Sequence, residues 1–182
     1  MTSRAAETAL EVATEGCPAQ PAPSLDGLLA AHGERALRIA SRIVRGDAAA
    51  EDIAQDAFVK AWRALPRFAG EAELATWLYR IVVNEALSHL RRQKLREGLA
   101  RWITREPSPA PADPTLRRRV ERALDGLAAN ERAVFTLVHL EGFTVVETAA
   151  IRGRAPGTIK SQLHRALRKL RRELASCWEE RR

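Results

Sequence analysis

Apolar residues along this chain recur at i, i+3 and i+4, while runs alternating every second residue are missing. The first spacing lines one face of a helix and the second would line one face of a strand, so the pattern predicts an all-helical protein. Residues 1–23 form a polar tail rich in proline at its end. A first helix is predicted from Ser24, whose hydroxyl can cap it, through "LDGLLAAHGERALRIASRIVR". Gly46-Asp47 interrupts the pattern, and Asp47 is a candidate cap for a second helix. Its apolar stripe is Ile53, Ala54, Ala57, Phe58, Ala61 and Leu65, with Phe58 and Trp62 expected in the core. Glu51, Asp52, Gln55, Asp56 and Lys60 fall on the opposite side. Pro66 ends this helix, the loop "PRFAGEAE" follows, and a third helix covers "ELATWLYRIVVNEALSHLRR". Leu74, Leu78, Ile81, Val82, Leu87 and Leu90 are its expected buried set, with Trp77 on the same side.

The pattern stops at "REPSPAPADPT", residues 105–115, where four prolines favour extended, semi-stiff backbone. A domain boundary is placed there. Beyond it about four helices are predicted, with breaks near Ala129-Asn130, Gly142-Phe143 and Gly153–Pro156. Thr144 to Leu170 has the grammar of a helix-turn-helix. Thr144 and Glu147 make a capping box, Ala149 is small where two helices cross, Gly153 supplies the turn and Pro156 suits a first helical position. The helix after the turn buries Ile159, Leu163, Ala166, Leu167, Leu170 and Leu174, and presents Lys160, Gln162, His164, Arg165, Arg168 and Lys169 on its other face.

Charge sharpens this picture. The 182 residues are 46% hydrophobic, enough to bury a core, and carry a net charge of +7. Residues 1–150 hold 20 basic and 20 acidic residues, whereas residues 151–182 hold 10 basic and 3 acidic ones, so the whole excess lies in the segment containing the second helix of the motif. Such a balance selects nucleic acid, acidic protein surfaces or anionic lipid as partners. Capping box, turn glycine, proline start and basic face coincide, which favours DNA binding over a merely solvated charged face. Arg91, Arg92, Lys94 and Arg96 form a second basic cluster.

Other classes find little support. Two cysteines and four scattered histidines offer no metal-ligand spacing, and P-loop, GxSxG and HExxH motifs are missing, so neither an enzyme nor a cofactor is expected. No run of about 18 apolar residues is present and the N-terminus has no continuous apolar core of a signal peptide, so no membrane insertion and a cytoplasmic location are expected.

The stretch "EDIAQDAFVKAWRALPRFAGEAELATWLYRIVVNEALSHLRR" resembles the promoter-melting domain of bacterial sigma factors, and "LAANERAVFTLVHLEGFTVVETAAIRGRAPGTIKSQLHRALRKLRREL" resembles their C-terminal domain. Two such units joined by a linker are the layout of the extracytoplasmic-function (ECF) branch of the sigma-70 superfamily. The resemblance implies two small helical domains, at 24–98 and 119–182, with a tail at 1–23 and a linker at 99–118. It implies a factor that directs core RNA polymerase to promoter DNA, and an anti-sigma factor as a further partner. Asp52, Gln55, Asp56 and Lys60 then fall where the family docks on polymerase. Phe68, Ala69, Gly70 and Glu71 match the loop that pockets a flipped −10 base, where stacking of about 1–3 kcal/mol offsets the cost of unstacking. Arg80 and Asn84, four apart on one helix face, are placed on base or sugar, with Arg91 and Arg92 on upstream phosphates. Arg154, Gly157, Thr158, Lys160, Ser161, His164, Arg165 and Arg168 fall at the −35 reader. Thr148, Arg152, Arg154 and Gln162 depart from the family pattern. An unpaired buried guanidinium is costly, so Arg152 and Arg154 are expected to point outward. The alternative is a stand-alone helix-turn-helix regulator, which would carry a ligand or dimerisation element in its N-terminal half.

Overall fold

The computed structural model describes the backbone of residues 25–70, 73–103 and 116–179, with the side chains of all but the helix ends 98–103, 116–118 and 176–179. The tail 1–23, Ser24, Glu71, Ala72 and the whole proline-rich segment 105–115 lie outside the described residues. Every regular element among them is helical: α1 (Leu25–Val44), α2 (Asp47–Ala64), a 3₁₀ turn (Leu65–Arg67), α3 (Leu74–Ile103), α4 (Leu116–Asp125), α5 (Ala129–Phe135) running into a π-helical turn (Thr136–Leu140), α6 (Val145–Arg152) and α7 (Pro156–Glu179).

Helices α1, α2 and α3 pack on one another as a three-helix bundle. Its centre is Ile39, Ile43, Ile53, Phe58, Leu78 and Val82, interleaved with Ala36, Ala40, Ala50, Ala57, Ala61 and Ala86. Alanine at those positions lets the backbones approach closely. Phe58 is buried as expected, but Trp62 is 48% exposed. Its place at the margin of the α2 stripe decides this: Ala61 and Phe58 fill the seam, and an indole one residue further round meets solvent. Tyr79, which the hydrophobic pattern leaves ambiguous, is 3% exposed. Its hydroxyl lies 3.0 Å from His32 Nδ1, which gives the buried polar end a partner. Burial pushes its phenol above the usual 10.0, outweighing the opposing pull of Arg35.

The joint between α1 and α2 differs from the expectation. Gly46, in extended backbone, is the N-cap, and its lack of a side chain leaves no cap bond. Asp47 instead stands in the first turn of α2 and accepts a hydrogen bond from Ser41 Oγ at 3.1 Å. A carboxylate there still complements the helix dipole. Arg45 turns the chain with a left-handed φ of 60°. Helix α3 runs on to Ile103, beyond the predicted stretch, because "QKLREGLARWI" is rich in good helix formers and a single glycine costs only about 1 kcal/mol.

Helices α4 to α7 form the second unit. Ala123, Leu127, Ala166 and Leu170 bury one seam, and Val134, Ala149 and Ile159 another. The break before α5 falls at Gly126–Ala128, slightly earlier than predicted. Glu131 marks the true start, accepting the backbone N–H of Ala128 at 3.1 Å. The two units are not separate bodies: Ala133, Leu137 and Ile151 are buried in the same cluster as the α1–α3 core.

Candidate nucleic-acid interface

The helix-turn-helix is built as its sequence dictates. Thr144 Oγ1 accepts the N–H of Glu147 at 3.2 Å, and Glu147 Oε2 accepts the N–H of Thr144 at 2.7 Å. These bonds satisfy two donors at the start of α6 and hold the Glu147 carboxyl below its usual range, chiefly through the Thr144 backbone bond. Gly153 ends α6 at φ 59°, a left-handed value that glycine adopts without a Cβ penalty. Pro156 then opens α7, with Gly157, Thr158, Lys160 and Ser161 exposed on its first turns. The Ser161 hydroxyl donates to the Gly157 carbonyl at 2.9 Å. His164 and Arg168 are exposed one and two turns further on.

Arg165 is half-exposed, with Nε 3.7 Å from Glu131, and Lys169 Nζ approaches the same carboxylate at 2.7 Å. Burial alone would raise the Glu131 carboxyl, but the bonds from Lys169 and Ala128 and the two cationic neighbours outweigh it and hold the group below its usual range. The expectation that Arg152 and Arg154 both point outward holds for Arg154 only. Arg152 is largely enclosed: Nη2 donates to Asn130 Oδ1 at 3.0 Å, while its buried Nε has no partner. Burial, then Arg154 and Arg91, push its guanidinium below the usual arginine range. Its aliphatic stem covers the bundle while the tip reaches a polar neighbour at the rim. Thr148 is fully buried, with a hydroxyl that makes no hydrogen bond.

In the first unit, Asp52, Gln55 and Asp56 lie exposed along α2 at i, i+3 and i+4. Lys60, also exposed, reaches across to Glu85 of α3 at 2.6 Å. The loop after α2 brings the Phe68 ring to 5.1 Å from Trp77, which supports it from α3. Ala69 and Gly70 are exposed, and Gly70 adopts φ 70°, a conformation that favours glycine. Asn84, Arg91 and Arg92 are exposed along α3, Arg91 donating to Ser88 Oγ at 2.9 Å. Arg80 is engaged elsewhere: its Nε and Nη2 both donate to the carbonyl of Ala150, at 3.2 and 2.7 Å, at the end of α6.

Sequence reasoning missed one cluster. Glu141, its side chain 2% exposed, meets Arg35 at 3.4 Å, Arg38 at 3.6 Å and Arg42 at 2.6 Å. The three arginines fall at i, i+3 and i+7 on α1, a basic stripe whose spacing was there to be read. Its acidic partner lies about 100 residues away, which no local pattern links.

The geometry sets a helix-turn-helix with an exposed basic face beside a three-helix unit whose α2 presents Asp52, Gln55 and Asp56 to solvent. Residues 28–96 match the Sigma-70 region 2 family and residues 117–170 match Sigma-70, region 4. The chain is 34% identical over 152 residues to RNA polymerase sigma factor CarQ of Myxococcus xanthus, covering 81% of this chain and 87% of that one. It is 33% identical over 151 residues to the ECF RNA polymerase sigma factor SigM of Mycobacterium tuberculosis, covering 83% and 77%. Its fold is similar to the sigma factor RpoE of Bartonella quintana, solved in complex with the anti-sigma factor NepR, with a TM-score of 0.65, 29% identity and coverage of 82% and 96%. The chain belongs to the ECF branch of the sigma-70 family of RNA polymerase sigma factors.

Proposed function

We propose that this chain directs core RNA polymerase to its promoters by dividing the contacts between its two units. The exposed face Asp52, Gln55 and Asp56 of α2 docks on the polymerase, with Lys60 at its edge steadied by Glu85. Phe68, Ala69, Gly70 and Glu71 enclose a flipped −10 base, Arg80 and Asn84 touch base or sugar, and Arg91 and Arg92 hold phosphates. The start of α7 enters the major groove at −35, where the exposed Gly157 lets the backbone come close and Thr158, Lys160, Ser161 and His164 present their side chains to the DNA. Arg154, Arg165 and Arg168 hold the flanking phosphates. The linker between the units lies within 99–118. The chain performs no chemistry of its own, works in the cytoplasm, and is bound by an anti-sigma factor, a reading supported by the Bartonella protein solved in complex with one.

The observation that carries this reading is a partition along single helices. On α2 Ile53, Ala54, Ala57, Phe58 and Ala61 are buried while Asp52, Gln55 and Asp56 face solvent, and on α7 Ile159 is buried while Gly157, Thr158 and Lys160 are exposed. The test is the double reversal Asp52→Lys with Asp56→Lys. Co-elution with core polymerase should weaken at least tenfold while thermal unfolding is unchanged. Undiminished co-elution would remove this face from the assignment.

A further inference from the structure

The first unit leaves an apolar surface open between α1 and α2. A groove of about 400 Å³ runs there, lined by residues of those two helices. Leu29 and Leu37 of α1 and Val59 of α2 form its walls, and they are 42%, 37% and 40% exposed, so the bundle itself does not cover them. Phe58 and Ala54 lie beneath, buried. Gly33 stands midway along the α1 side, and a Cβ built on it would meet nothing within 4 Å, which leaves a notch in that wall. Contiguous exposed apolar surface of this kind marks an interaction site.

The chain carries a segment that fits it. Residues 1–24 precede Leu25, and Leu25 itself lines the groove at its near end. Ahead of it Ala6, Ala9, Leu10 and Ala13 recur at i, i+3, i+4 and i+7, the spacing of one helix face, while Glu7 and Glu11 fall on the other side. Ser3 is a candidate N-cap, and Gly16 and Pro18 are stop signals. A helix of about ten residues does not persist alone in water, so such a stripe needs a surface to lie on. Its alanines suit a close approach, as alanine does between α1, α2 and α3. Leu10 supplies the large side chain, opposite the notch at Gly33.

Length and charge agree. From Leu25 to Leu37 the groove follows α1 for about 18 Å, and residues 4–13 as a helix cover about 15 Å. Residues 14–24 span up to about 36 Å when extended, ample to turn the chain back at the Leu25 end. Running antiparallel to α1, the segment brings Arg4 to the Leu37 end, where the exposed Glu51 lines the rim.

We propose that residues 4–13 dock in this groove as a short helix antiparallel to α1, a fourth helix of the first unit. The tether makes a weak contact sufficient, because a short linker holds the segment at an effective concentration in the millimolar range. Gln55 lines the groove and also belongs to the exposed face of α2, so the docked segment borders that face.

The test uses the full-length chain with Cys17→Ser and Cys177→Ser, carrying a nitroxide on Thr2→Cys, and reads paramagnetic broadening of methyl signals against the reduced label. The Leu37 methyls should lose most of their intensity, while those of Leu170 in the second unit keep theirs. Two variants act on opposite sides of the contact. Leu10→Asp puts a charge on the docking stripe. Gly33→Lys fills the notch where space is open, and lysine is a better helix former than glycine, so the bundle stays folded. Each should restore the Leu37 signals. No broadening at Leu37 in the parent chain, or broadening that survives in either variant, would overturn the proposal. Mixing nitroxide-labelled chain with isotope-labelled chain free of nitroxide tests the rival occupant, a second copy. Broadening of the nitroxide-free chain would assign the groove to that copy and overturn the proposal too; undiminished signals are the expected result.

Discussion

Thr148→Val should make this protein more stable. Thr148 lies on α6 with no exposed surface, and its hydroxyl makes no hydrogen bond. A buried polar group left without a partner forfeits its hydration and costs about 1–3 kcal/mol. Valine keeps the branched shape and fills nearly the same volume, so no cavity opens, and threonine and valine have nearly equal helix propensity. What remains is the hydroxyl, and its replacement by a methyl at this fully buried position should contribute about 1–2 kcal/mol. For a chain of this size each kcal/mol moves the melting temperature by about 2–4 °C, so a rise of roughly 3–6 °C is expected. Urea unfolding should show a higher midpoint with an unchanged slope, because the surface exposed on unfolding stays the same. Promoter use should be unaltered, since the side chain faces the core. A lower melting temperature with native helical content would refute the reasoning, as it would mean that the hydroxyl is satisfied in solution.

Other residues separate DNA contact from structure. Lys160→Ala should weaken promoter binding and lower its salt slope by about one, with unfolding unchanged, because Lys160 is exposed and its charge, brought into the groove, displaces counterions from the DNA; an unaltered slope in a salt titration would remove it from the interface. Arg165→Ala should lower both binding and thermal stability, because it also faces Glu131, and a loss of binding alone would show that pair to be idle. Asn84→Ala should impair strand opening more than duplex binding, read as weaker permanganate reactivity at −10 beside an unchanged gel shift; identical footprints would exclude it. Glu131 has its carboxyl held below the ordinary 4.5 in the folded chain, so its contribution is present above that value and is lost as pH falls through the folded value. Glu131→Gln should therefore flatten the fall in stability on acidification below about pH 4.5, and parallel curves for the two proteins would contradict the assignment.

The helices and the helix-turn-helix were legible because their signals are local. The Thr144–Glu147 box, Gly153 and Pro156 each act within one turn, and the structure bears all three out. The exposed acids of α2 could be read from the same periodicity. Trp62 was misplaced because a residue at the edge of a stripe can fall either way, and only the packing of Phe58 and Ala61 decides it. Asp47 was misread because glycine beside it can cap with backbone alone. Arg152 was expected outward on the cost of burying charge, but a long side chain can bury its stem and still find Asn130. The junction of the two units was not legible at all. It depends on pairs such as Arg42 with Glu141 and Arg80 with Ala150, separated by 99 and 70 residues.

Run-off transcription with purified core polymerase, with and without this chain, on the region upstream of its own gene, tests the central claim most directly. Discrete new transcripts that require both components, and that weaken when Asp56 or Lys160 is replaced, are the predicted result. Tight duplex binding by the chain alone, with no new transcript in the presence of core polymerase, would contradict it.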